Sequence, residues 1–69
     1  MYNVKCTRRD DVFEFYYMNY HRVLEIIEDF VTSYSVNVVN NKTKDTYTIT
    51  DEVGMKHFEK VERKNSEVE

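Results

Sequence analysis

Apolar and polar residues alternate at the start of the chain, where Tyr2, Val4 and Cys6 are separated by Asn3, Lys5 and Thr7. A period of two marks a strand with one buried face. Arg8-Arg9-Asp10-Asp11 then interrupts the pattern with a run of charges that few cores accept, which predicts a turn. Val12-Phe13-Glu14-Phe15-Tyr16-Tyr17-Met18 follows, dense in the aromatic residues that suit a pleated surface. Two such segments around a short polar connector read as an antiparallel hairpin.

Asn19 is positioned as an N-cap, its side-chain oxygen able to accept a free N–H of a first helical turn. Beyond it Tyr20, Val23, Leu24, Ile27, Val31 and Tyr34 recur at three- and four-residue spacing, with His21, Arg22, Glu25, Glu28, Asp29 and Thr32 between them. This predicts an amphipathic helix of about four turns. Ile26 and Phe30 widen its apolar stripe, so it should touch more than one neighbour.

Ser35–Val39 and Thr46–Thr50 are further β-prone runs, and the polar stretch Asn40–Asp45 makes them a second hairpin. Thr50 or Asp51 can cap a final short helix with Met55, Phe58 and Val61 on one side. A turn at Glu52-Val53-Gly54 followed by a fifth strand is the alternative, and the 55, 58, 61 spacing favours helix. Residues 62–69 carry one apolar side chain, Val68, and read as a frayed tail. The expectation is one α+β domain over residues 1–61, with a four-stranded antiparallel sheet in β-β-α-β-β order and a short C-terminal helix. Its core should pair the long helix with Val4, Phe13, Phe15, Tyr17, Val36, Val38, Tyr47 and Ile49.

One helix covers one sheet face. If residues 13, 15 and 17 face it, then Val12, Glu14, Tyr16 and Met18 face away, joined by Val39 and the threonines at 46, 48 and 50. Either the C-terminal helix shields Val12, Tyr16, Met18 and Val39, or they form an exposed apolar patch of the kind that marks contact surfaces.

The chain has 69 residues, 41% apolar and 33% charged, which is an ordinary globular mixture. So small a domain has a thin stability margin and is commonly helped by a disulfide, a metal or a partner. A single cysteine, Cys6, excludes an intrachain disulfide, and no Cys/His set suggests zinc, so a protein partner or a second copy is the remaining candidate. The lack of long apolar runs argues against a membrane span or signal-peptide core, and the expected location is the cytoplasm. Ala, Pro, Gln and Trp are absent and Gly occurs once, which points to an AT-rich gene. With the small size, this suits a bacteriophage or mobile element in a low-GC host, or an ordinary small bacterial protein.

The net charge is −3 and unevenly placed. Lys5, Arg8 and Arg9 make the first residues basic, whereas Asp10, Asp11, Glu14, Glu25, Glu28 and Asp29 face Arg22 alone in the next stretch. If the first turn lies near the helix, these acids form a local surface for a basic partner; otherwise they are simply solvated.

Candidate chemistry is sparse. Cys6 reads as buried packing, His21 and Glu25 supply only two ligands on one helix face, and nothing by spacing pairs His57 with Cys6. No cofactor, metal or catalytic role is expected. Val12–Tyr17 weakly resembles the aromatic strand of RNA-recognition modules, which would imply base stacking, but the glycines and basic residues of that strand are missing. Arg8, Arg9, Lys42 and Lys44 would contact phosphates if both hairpin turns lay at one end of the sheet. The leading expectation is a non-enzymatic protein-binding module, a regulator or inhibitor that occupies a host-protein surface. Its contacts would be Val12, Tyr16, Met18 and Val39, with Glu25, Glu28 and Asp29 supplying charge. A nucleic-acid binder and a structural homodimer are the alternatives.

Overall fold

The computed structural model describes the backbone of residues 1–68 and the side chains of residues 1–63. The chain runs β1 (Tyr2–Arg8), β2 (Asp11–Met18), α1 (Tyr20–Phe30), β3 (Ser35–Asn40), β4 (Thr46–Ile49) and α2 (Glu52–Val68). All neighbouring strands are antiparallel, in the spatial order β2-β1-β3-β4. The architecture is the expected α+β domain, and residues 52–61 are helix, not strand.

Local chemistry accounts for the helix ends. The Asn19 Oδ1 accepts the Arg22 N–H at 2.8 Å, the N-cap that the sequence calls for. α1 ends at Phe30, short of the predicted four turns, and residues 31–33 continue as a tighter turn in which Ser33 N–H and Tyr34 N–H both donate to the Phe30 carbonyl. The Asp51 Oδ1 accepts the Gly54 N–H at 2.9 Å and starts α2.

The core joins Tyr2, Val4 and Cys6 of β1, Val36 and Val38 of β3 and Ile49 of β4 to Val23, Ile26 and Ile27 of α1 and Phe58 of α2. The Phe58 ring meets Tyr2 at 5.9 Å, Tyr47 at 5.0 Å and Tyr20 of α1 at 6.2 Å between centroids. Both helices therefore pack on one face of the sheet. Shielding of the opposite face by α2 is excluded, and that face is open.

A β-bulge in β2 corrects the expected inward and outward assignments. Phe13, Glu14 and Phe15 pair in register with Cys6, Lys5 and Val4, but Met18 pairs with Tyr2, so Tyr16 and Tyr17 together oppose Asn3. Tyr17 adopts φ 56°, and its N–H donates to the Asn3 Oδ1 at 3.1 Å. One extra residue in a strand of period two reverses the parity beyond it. Met18, expected outside, packs against the core, whereas Tyr17, expected inside, is 73% exposed. Phe15 packs on the core as expected, and Phe13 lies on the helix side against Phe30 and Tyr34 while remaining 45% exposed at the sheet margin.

The inner face of α2 also differs from the expected stripe. Met55 and Phe58 turn inward, but the next inward position is Glu62, which the sequence reading assigned to the tail; Val61 is exposed. The Glu62 carboxylate is fully buried and accepts from the Tyr2 hydroxyl and the Asn40 Nδ2, each at 2.8 Å, and from the Tyr47 hydroxyl. It ties α2 to β1, β3 and β4 at once. Burial, and then the bond to Glu62, pushes the Tyr47 phenol well above its ordinary value.

Candidate interaction surface

β2 is an edge strand, paired on one side only. Antiparallel ladders turn alternate residues toward each neighbour, so the phase of the hydrogen bonds decides which groups of β2 are unpaired within the sheet. The Asn41 N–H donates to the Met1 carbonyl, and the Asn40 N–H donates to the Asp45 carbonyl. Odd-numbered β1 residues therefore bond toward β3 and even-numbered ones toward β2. The pairs Cys6–Phe13 and Val4–Phe15 exchange backbone bonds, and the N–H and C=O of Val12 and Glu14 point to the open edge.

The side chains of this edge are unusually bare. Val12 is 51% exposed and Tyr16 53%, beside Phe13 and Tyr17. Tyr16 donates its hydroxyl to Glu14 Oε2 at 2.5 Å, a bond that raises the phenol's pKa above its ordinary value. On the helix side, the Phe13 ring lies 5.6 Å from Phe30 in a tilted contact and 5.6 Å from Tyr34 edge-on, and the Arg8 guanidinium lies 4.7 Å from the Tyr34 ring. Arg8 also donates to Asp11 at 3.0 Å, which, first among its partners, raises its pKa.

The open face is mixed rather than apolar. Across the strands its rows read Val12–Thr7–Ser35, then Glu14–Lys5–Asn37–Thr48, then Tyr16 and the bulge beside Asn3–Val39–Thr46. Glu14 separates Val12 from Tyr16, and Asn3 separates Tyr16 from Val39, which is half-buried. The structure thus brings Val12 and Tyr16 to one edge, leaves Val39 in mid-sheet and removes Met18 to the interior.

The charged candidates are likewise divided. Glu25 pairs with Arg22 at 2.8 Å on the exposed helix face, and Asp29 is exposed. Glu28 lines a shallow groove of about 400 Å³ between α1 and α2, floored by Val31 and Met55. Arg8 and Arg9 sit at the β1–β2 turn, whereas Lys42 and Lys44 sit at the β3–β4 turn. Because Tyr2 pairs with Asn40 and Thr7 with Ser35, those turns lie at opposite ends of the sheet, and the four cations do not form one phosphate-binding set.

Among the described residues no group of three or more His, Cys, Asp or Glu side chains could hold a metal. Cys6 is fully buried, and burial pushes its thiol pKa up, away from the reactive thiolate. No described helix is long and apolar enough to cross a membrane. Sequence reasoning missed Tyr17 and Glu62. The first carries no local signal, because the bulge is a property of pairing with Asn3. The second had one: positions 55, 58 and 62 continue a helical stripe, with a carboxylate standing where an apolar residue is the norm. No family model matches the chain, and neither a curated protein nor a solved structure was found to be similar to it.

Proposed function

We propose that this chain is a non-catalytic protein-binding module that contacts its partner along the outer strand β2. The observation that carries the reading is Tyr17: a bulky residue held at φ 56° with most of its side chain in solvent. A left-handed conformation costs a non-glycine residue about 1–2 kcal/mol, and an exposed ring recovers little of that from the fold. Backbone strain of this kind clusters at functional positions. Tyr16, Val12 and Phe13 flank it on the same strand, and tyrosine is enriched where protein surfaces meet. A regulator that works by occupying a surface needs no more than such an edge.

Tyr17→Gly separates structural from functional roles. Glycine accepts the positive φ, so the variant should be as stable as wild type or more stable by about 0.5–1 kcal/mol after its own entropic cost. It should also lose the partner that immobilised wild-type chain retains from a lysate of the producing cell. Loss of stability together with unchanged capture would contradict the proposal.

A further inference from the structure

Resting on the reading of β2 as the contact strand, we infer that its occupant is a second copy of the chain, paired antiparallel about a twofold axis at Phe13 to make a continuous eight-stranded sheet. The edge itself selects this register. In a symmetric antiparallel pairing, outward-bonding residues must meet outward-bonding residues, which confines the axis to few positions. An axis at Glu14 sets that carboxylate on its own copy, and an axis at Val12 brings Asp10 beside Glu14 of the second copy; like charges directly opposite disfavour both. An axis at Phe15 sets Phe13 opposite Tyr17, where the left-handed backbone breaks the ladder.

The Phe13 register meets none of these obstacles. Val12 of each copy lies opposite Glu14 of the other, and their outward N–H and C=O groups exchange backbone hydrogen bonds on both sides of the axis. The half-exposed Phe13 rings meet at the centre, in the closely spaced non-hydrogen-bonded position that favours aromatic pairs. Arg9 and Tyr17 are both exposed, both left-handed (φ 49° and 56°), and equidistant in sequence from Phe13.

Charge also favours self-pairing over a strongly charged foreign strand. β2 itself carries only acids, Asp11 and Glu14, but cations of β1 compensate them at the edge: Arg8 bridges Asp11 and Lys5 pairs opposite Glu14, while Arg9 and Asp10 balance in the turn. Such a seam neither repels its copy nor rewards a basic or acidic peptide. Val12, Phe13, Tyr16 and Tyr17 expose roughly 450 Å² together, scaling from the ~150–250 Å² of a whole aromatic side chain. A standard stable interface takes about 800 Å² per partner, so the dimer is a weak one.

Sedimentation equilibrium on wild type, Val12→Lys and Val12→Glu tests the register, since Val12 is half-exposed and neither change disturbs the core. Wild type should show a reversible monomer–dimer equilibrium. Val12→Lys sets a cation opposite Glu14 twice and should tighten it about tenfold, whereas Val12→Glu should weaken it about tenfold. Wild type and Val12→Lys both remaining monomeric, or the two variants shifting the equilibrium alike, would overturn the inference. Should that occur while Tyr17→Gly still abolishes partner capture, the binding-module reading stands and only the identity of the occupant is lost.

Discussion

Glu62→Ala should destabilise the chain by about 3–5 kcal/mol, since it takes one shared acceptor away from three hydrogen-bond donors. The carboxylate is wholly buried and is the acceptor for Tyr2, Asn40 and Tyr47. Each donor that loses its bond to Glu62 costs about 1–3 kcal/mol, offset where the chain relaxes or water enters. The damage spreads to the β3–β4 turn. While Asn40 Nδ2 is held by Glu62, its Oδ1 accepts the N–H of Lys42 at 2.9 Å and of Thr43 at 3.3 Å. A domain has only about 0.05–0.15 kcal/mol of stability per residue, so this one side chain accounts for much of the margin of 69 residues. Glu62→Gln keeps the shape and one carbonyl oxygen, and should cost about 1–2 kcal/mol. Urea unfolding followed by circular dichroism measures both; equal, small losses would show that the buried carboxylate is not the fastening point of α2.

Phe58→Ala should cost a similar amount, about 3–5 kcal/mol. Phe58 is fully buried and is the aromatic centre of the helix–sheet junction, with edge-on contacts to Tyr2 and Tyr47 and a stacked contact to Tyr20. Truncation leaves a cavity walled by rigid rings that cannot collapse into it, and edge-on ring pairs contribute about 0.5–1.5 kcal/mol beyond their buried area. Phe58→Leu should recover part of the loss. Phe58 and Glu62 share Tyr2 and Tyr47 as partners, so the double variant should lose less than the two single losses combined. Strict additivity in the same unfolding experiment would show that the two residues fasten α2 independently.

Much of the fold is legible because local patterns and tertiary packing agree. Alternation places Tyr2, Val4 and Cys6 inside, three- and four-residue spacing places Val23 and Ile27 inside, and Asn19 caps α1. What was not legible depends on contacts distant in sequence. The bulge reverses Tyr17 and Met18 through a pairing with Asn3, and no glycine marks it. Glu62 reads as the polar end of a helix until Tyr2, sixty positions away, and Asn40 supply its hydrogen bonds. Of the proposed contact surface, the exposure of Val12 and Tyr16 was legible, whereas Met18 packs on the core. The proposal moves from a sheet face to a sheet edge because strand order and not composition makes β2 the outer strand.

The account rests on the free margin of β2 being the surface that works. Backbone amide shifts of the isotope-labelled chain, followed from dilute to millimolar concentration and again on addition of the captured partner, test this directly. The shifts should move at Val12, Glu14, Tyr16 and Tyr17 while the opposite edge, Thr46–Ile49, stays still. Changes confined to that opposite edge, or to the groove between α1 and α2 with β2 unmoved, would contradict it.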